Sequence, residues 1–333
     1  MKVLHIVSSW PTSEKPYLKP FIVSQIKSLG RKGVAVDILD LRATENTFNY
    51  IIGVVRLWKR LLNRRYDIVH AHYSYCGWVG VLQRKVPVVV SFMGNDLFGV
   101  LNSRGGQRIV GYFNILFSTL LVNFAEAVIV KSSRMKELIN ADHVYVVPNG
   151  VDFELFRPMQ DKAVSQLYAG KRNKTILFLG DPDDPRKNFR LAVSAVQILK
   201  QKYPDVELVV PFGIHAQQVN AYMNMADVLL CTSLQEGSPN VIKEAMACNL
   251  PIVSTDVGDV REVLGNTEGC YIASFDKEDL AKKLQLSLEY GKRTNGRENI
   301  KYLEINNVAD KIINIYRQVC GSKRHRGEDK WKM

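Results

Sequence analysis

Two carboxylates and the turn between them raise the first chemical question. Residues 233–259 read SLQEGSPNVIKEAMACNLPIVSTDVGD, with Glu236 and Glu244 eight positions apart. The apolar run Val228–Cys231 before them reads as a strand and Asn240–Ala247 as a helix. Glu236 therefore stands just ahead of a helix start, and Glu244 one to two turns inside it. Gly237-Ser238-Pro239 predicts a turn, Pro239 suits the entry to a helix, and the amides of Asn240, Val241 and Ile242 are left for a ligand. Such a helix start seats phosphate or sugar oxygens, and an ionised carboxylate accepts from two hydroxyls at once. The competing reading is an exposed helix whose glutamates are merely solvated. His70 and His72 in DIVHAHYS project to one strand face, as metal ligands would, but no third ligand with suitable spacing follows. No metal site is expected, and His72 reads as a wall of an acceptor or active-site cleft.

The elements that must position these residues alternate in type. Lys2–Val7, Val34–Leu39, Ile68–Ala71, Val86–Phe92, Val128–Val130 and Val144–Val147 read as strands. Helical patterns lie between them, among them Pro20–Lys32 and Ile51–Asn63. Pro148-Asn149-Gly150 is a turn signal that closes this series. A second series begins with the strand Thr175–Leu179 and runs through the helix Asn188–Lys202, the strand Val206–Val210, the helix Ala216–Met225 and the glutamate motif to the strand Cys270–Ala273. Strands alternating with helices over two stretches predict an α/β protein of two Rossmann-like, doubly wound parallel domains. Such sheets bind ligands beyond the carboxyl ends of their strands, here expected in a cleft between the domains. The expected division is 1–155 for an acceptor domain, 156–174 for a linker and 175–300 for a donor domain. A helix over 301–320 crossing back to the first domain, and a basic tail over 321–333, complete it.

Composition narrows the class. The chain has 333 residues, 46% hydrophobic and 23% charged, which excludes a disordered, collagen-like or small disulfide-bonded protein. Five cysteines without a CxxC pair fit reduced thiols, and Met1-Lys2 leads into a β-like run with no h-region, so a non-secreted, cytoplasmic chain is expected. No GxGxxG follows the first strand and no GxxxxGK[ST] occurs, which argues against NAD-dependent redox and P-loop chemistry. The net charge is +12, and residues 1–150 hold 19 Lys/Arg against 9 Asp/Glu, a net of +10. That asymmetry calls for an anionic partner. An RNA-binding string, zinc spacing and a helix-turn-helix signal are all lacking, so no nucleic acid is expected. Residues 51–66, IIGVVRLWKRLLNRRY, instead form a cationic amphipathic pattern with Trp58, expected to contact anionic membrane; a core-packed helix with a solvated basic face is the alternative. The uncharged stretch Ile109–Ala125 carries Asn114, Ser118, Thr119 and Asn123 and is expected as a buried or surface-docked helix rather than a span.

The whole string EGSPNVIKEAMACNLPIVSTDVGDVRE resembles the E-x7-E signature of retaining glycosyltransferases of family 4, with the GT-B fold. Further pieces follow in the family's order: SSWPTSEKPYLKPF, DIVHAHYSYCGW, SFMGNDL, AVIVKSSRMKEL, VYVVPNGVDFELF and ILFLGDPDDPRKNF. The resemblance implies transfer of a hexosyl-type sugar from a nucleotide sugar, UDP-linked, to a saccharide or lipid-linked acceptor. No cofactor is implied, since the nucleotide sugar is a substrate, and no metal, since the family lacks an Asp-x-Asp site. It places Glu244 on the donor ribose and Glu236 on the hexose, with the amides of Gly237, Ser238, Pro239 (as a backbone position), Asn240 and Val241 near sugar and phosphate. Lys187, after the strand ending at Gly180, falls on the donor diphosphate, where a fixed cation offsets the charge of the leaving group. Gly94, Asn95, Asp96, His72 and Asn149 fall on the acceptor side, with the loop Ser13–Phe21 as its variable part.

Two residues depart from the pattern. Asp181 stands where the family commonly has Arg, leaving Arg186 to supply a second cation from the other side of the loop. Met93 stands where it often has His, so no imidazole acts there and Asp96 could take over a polar contact. The short segment between ELVVPFGIHA and Asp227 resembles members that make bacterial cell-surface polysaccharide, which implies a site on the inner face of the membrane. Those departures also keep open a non-catalytic homologue acting as a partner subunit.

Overall fold

The computed structural model describes residues 1–12, 18–102, 105–159 and 173–328, with side chains to residue 321. Most of the expected linker, part of the acceptor loop Ser13–Phe21 and nearly all of the basic tail's side chains lie outside the described residues. The chain forms two compact units. One comprises residues 1–100, 108–150 and the segment from Ile305 onward; the other comprises 101–107 and 151–304.

The first unit contains β1 (Lys2–Val7), α1 (Pro20–Arg31), β2 (Ala35–Asp40), α2 (Asn49–Asn63), β3 (Ile68–His72), α3 (Ser74–Val81), β4 (Val88–Ser91), α4 (Asn95–Phe98), α5 (Ile109–Val122), β5 (Ala127–Val130), α6 (Ser133–Glu137) and β6 (Val144–Val146). Its six strands are all parallel, in the order β2-β1-β3-β4-β5-β6. Val3, Leu4, Val69, Val89, Val90, Val128 and Ile129 are fully buried, as strands covered on both faces require. One face carries α2, α3 and α5 through Leu57, Cys76, Val79, Leu121 and Val122.

The other face is covered by α1 and by the last helix of the chain. The second unit contains β7 (Thr175–Leu177), α7 (Phe189–Lys200), β8 (Glu207–Val209), α8 (Ala216–Met225), β9 (Val228–Cys231), α9 (Asn240–Ala247), β10 (Ile252–Thr255), α10 (Val260–Leu264), β11 (Tyr271–Ala273), α11 (Lys277–Tyr290) and α12 (Gly296–Asn299). After it, α13 (Ile305–Glu328) returns to the first unit and buries Val308, Ala309, Ile312 and Tyr316 against Val3, Ile68, Val89 and Ile129. Lys32, just past the end of α1, donates to Asp310 at 2.8 Å along the same seam.

The second sheet is also parallel, in the order β11-β10-β9-β7-β8. The chain enters it at β7, turns outward to β8, and crosses back to β9. The connections after β7 therefore diverge, and the ends of β7 and β9 open a gap that no crossover fills, the place where doubly wound sheets bind ligands. In the first sheet the corresponding gap lies at the ends of β1 and β3.

Candidate active site

Past β7 the chain runs through Gly180 and Asp181 into a single 3₁₀ turn, Pro185–Lys187. Past β9 it runs through Thr232 and Ser233 to the Glu236 turn and α9. The two loops are tied together by backbone: Leu234 N–H donates to the Arg186 carbonyl at 2.7 Å, and Thr232 Oγ1 donates to the Lys187 carbonyl at 2.8 Å. The end of β10 joins them through Thr255 Oγ1, which donates to the Ser233 carbonyl at 2.7 Å. Lys187 and Glu236 thus arrive from two different strands at one point, and Lys187 Nζ donates to Glu236 Oε1 at 2.5 Å. Ser233 Oγ donates to the same oxygen at 3.2 Å. The lysine's methylene stem crosses Gly180, where a Cβ would sit 3.2 Å from Cγ and Cδ.

The electrostatics follow from partial burial. Burial alone would lower the Lys187 ammonium, but Glu236, helped by Cys231, outweighs it and raises the group above the ordinary lysine range. Glu244, on α9, is pushed up to about 7 by burial, while Lys243 and Lys187 pull it back. Glu244 thus lies within electrostatic reach of the ammonium that Glu236 holds.

The turn between them is held from beneath. Ser238 Oγ donates to Asp259 Oδ2 at 2.6 Å, and Lys243 Nζ, 1% exposed, donates to Ser238 Oγ at 2.7 Å. Burial lowers the Lys243 ammonium and raises the Asp259 carboxyl, each opposed by the other. Gly258 has a φ of +57°, and a Cβ there would meet the Gly237 carbonyl oxygen at 2.7 Å. Only glycine allows that approach, so the backbone of Gly258 buttresses the Glu236–Gly237 peptide. Pro239 stands at the cap position of α9 without a side-chain cap, so the first-turn amides at Asn240 and Val241 meet no side-chain acceptor from it.

Arg186, expected as a second cation, engages a neighbouring carboxylate on its own turn. Its Nε and Nη2 grip Asp184, Nη2 to Oδ2 at 2.6 Å, and its own N–H donates to Asp184 Oδ1 at 3.0 Å. The Asp184 carboxyl, which burial alone would raise, is held below its usual range by that guanidinium. The pair closes the turn that presents Lys187.

The first unit gathers the remaining candidates at its own sheet. Asp96, 5% exposed, accepts from Ser74 N–H at 2.8 Å and Met93 N–H at 2.7 Å, tying the end of β4 to the start of α3. Gly94 turns the chain into α4 at φ +133°, with Asn95 as its first residue. Asn149 is buried just past β6. His72 is fully buried beside His5 and His70, its Nε2 3.1 Å from His5 Nδ1. His70 spends both ring nitrogens, on Tyr316 Oη at 2.5 Å and Ser91 Oγ at 2.8 Å. The His70 and His72 rings stack at 4.4 Å. Burial drives all three imidazoles toward neutrality.

Several residues that shape these turns escaped the sequence reading. Ser233, Lys243, Gly258 and Asp259 form the second layer of the turn; the signal for Lys243 was a lysine between Ile242 and Met246 on the apolar side of α9. Lys19 was missed as well. It contacts Ser8 Oγ at the end of β1, and its ammonium lies 4.4 Å above the Tyr73 ring just past β3, at the first sheet's own gap.

Two family descriptions match this chain: Glycosyltransferase Family 4 over residues 5–155 and Glycosyl transferases group 1 over residues 210–289. A phosphatidyl-myo-inositol mannosyltransferase of Propionibacterium freudenreichii is 28% identical over 66% of this chain, which spans 61% of that relative's length. Among solved structures, sucrose-phosphate synthase of Thermosynechococcus elongatus aligns over 96% of this chain and 99% of its own, with a TM-score of 0.79 at 19% identity. The HepE protein of Anabaena in complex with UDP-glucose aligns over 98% and 100%, with a TM-score of 0.66 at 17% identity.

Proposed function

Since the chain belongs to glycosyltransferase family 4 and has the GT-B fold, we propose that it transfers a hexosyl-type sugar from a UDP-sugar, with retention, to a saccharide or lipid-linked acceptor in cell-surface polysaccharide synthesis at the inner face of the membrane. The observation that carries this reading is the meeting of Lys187 and Glu236 at the β7–β9 gap, with Glu244 in the field of the same lysine.

Glu244 accepts from the ribose hydroxyls, and Glu236 contacts the hexose. Lys187 and the amides of residues 237–241 face the diphosphate, whose charge grows as the glycosidic bond breaks. An incoming diphosphate shares the ammonium that Glu236 now holds, so donor binding frees Glu236 for the sugar. Because the countercharge is an ammonium, turnover is independent of added metal. With Met93 in place of an imidazole, the protein supplies position and charge rather than a nucleophile, in keeping with front-face transfer. The relatives' names favour a lipid acceptor: one is a phosphatidyl-myo-inositol mannosyltransferase.

The test is a panel of UDP- and GDP-sugars with EDTA present. Slow release of UDP from one donor is the expected result, lost by about 10²-fold or more in Lys187→Ala, as for removal of a preorganised charge. UDP binding without release from any donor would replace this reading with the second one, a non-catalytic partner subunit. That alternative is favoured by Met93 and by the engagement of Arg186 with Asp184. Absence of both binding and release would overturn both.

A further inference from the structure

Helix α5 is packed inside out. Its inward residues are Gly111, Ser118, Leu121 and Val122, whereas Tyr112, Phe113, Leu116, Phe117 and Leu120 are each between 46% and 64% exposed. A surface helix of a soluble protein does the reverse. Its polar side chains are satisfied within the protein: Ser118 Oγ donates to the Asn114 carbonyl, Thr119 Oγ1 to the Ile115 carbonyl, and Asn114 Oδ1 accepts from Tyr75 Oη at 2.6 Å. Hydroxyls turned back onto their own helix are what an apolar surrounding demands. The surface continues sideways. Trp78 of α3 packs on Phe117 and Phe124, and Tyr75 on Tyr50 of α2, whose Ile51, Ile52, Val55 and Leu62 are also exposed.

We propose that this face of the first unit, with α5 as its apolar centre, inserts into the interfacial layer of an anionic lipid bilayer. Charge selects that occupant. Residues 46–66, 73–95 and 108–125, which contain α2, α3 and α5, hold eight Lys and Arg and no Asp or Glu. A second copy of the chain would bring these like charges together, whereas anionic headgroups neutralise them. Arg84 lies 5.8 Å from the Phe124 ring centroid and Lys85 5.0 Å from that of Trp58, which keeps charge at the rim of the aromatic surface. With 14 residues α5 is about 21 Å long, too short to cross a bilayer of about 30 Å, so it lies in the membrane plane. The basic segment 51–66 then supplies the flank and α5 the inserted part. This inference does not depend on the glycosyl-transfer reading.

Sedimentation of the full chain with vesicles of phosphatidylcholine, with and without phosphatidylglycerol, tests it. Binding to the phosphatidylglycerol vesicles is expected. Phe113→Gln with Leu116→Gln should weaken it at least tenfold at every salt concentration, since both substitutions remove apolar area from the inserted face. Arg56→Gln with Lys59→Gln should weaken it about thirtyfold at low salt and little at high salt. Unchanged circular dichroism and melting temperature, and unchanged UDP affinity, establish that the variants are folded. Failure to bind anionic vesicles, or equal binding by the Phe113/Leu116 variant, overturns the proposal. So does a vesicle-free dimer by ultracentrifugation that the same variant dissolves, because the face would then belong to a second copy.

Discussion

At the scale of single residues, Glu244 shows how the proposed donor site conflicts with stability. Its carboxyl is pushed up to about 7 by burial, so the folded chain keeps a proton there that the unfolded chain releases near 4.5. Between those pH values the folded state binds more protons, and its stability falls as pH rises. Glu244→Gln removes the cost. Its melting temperature should exceed that of the parent at pH 8, by roughly 1–3 kcal/mol of stability, with the gap shrinking toward pH 5. The same variant should bind uridine more weakly at pH 8, because an amide accepts at one oxygen where the carboxylate accepts at two. For the parent, uridine affinity should be about tenfold lower at pH 6 than at pH 8, following the ionised fraction of a group near 7. Calorimetric titration with uridine checks this without titrating a phosphate; a flat profile would mean that Glu244 does not meet the ribose. Much of this residue-scale arrangement was readable in the string EGSPNVIKE, because spacing on a helix fixes where Glu244 stands. The attachment of Arg186 to Asp184 was not readable: two residues apart in a tight turn, they meet only once Asp184 caps the 3₁₀ turn.

Elements, rather than individual side chains, decide whether the turn holds its shape. The Glu236–Gly237 peptide rests on the backbone of Gly258, and Ser238 is fixed by Lys243 and Asp259. Gly258→Ala puts a methyl carbon against a carbonyl oxygen and strains a left-handed φ. A loss of about 1–3 kcal/mol is expected, with a fall in kcat for UDP release that exceeds the change in uridine affinity, since Glu236 moves and Glu244 stays on its helix. Thermal melting and kinetics together check this; equal losses in both would make Gly258 a purely structural glycine. The strand and helix series was legible because parallel strands buried on both faces leave continuous runs such as VVVS and AVIV. The outward face of α5 was not, because a helix apolar all round has no period from which to read inside from outside; only Gly111 and Ser118 marked its inner side.

For the molecule as a whole, the return of α13 to the first unit matters most. Ile312, fully buried, shares with Leu29 of α1 the cluster that covers β1, β3, β4 and β5 on that side. Ile312→Ala should cost about 2–5 kcal/mol, lowering the melting transition of the first unit. The shift that UDP induces in the second unit's transition should persist, since ligand binding stabilises the unit that binds it. Differential scanning calorimetry with and without UDP checks this, and a loss of the UDP response would show that the two units melt as one.

The second unit is spliced into the first, and its two ends are neighbours: Val151 bridges Glu304 in parallel, and a Cβ on Gly150 would stand 2.8 Å from Ile305 Cα. During synthesis, residues 151–304 emerge from the ribosome while one side of the nascent first sheet has α1 but still lacks α13. The second unit can therefore mature first, and the first unit is completed only when α13 emerges, so chaperones and proteases have an extended opportunity before that point.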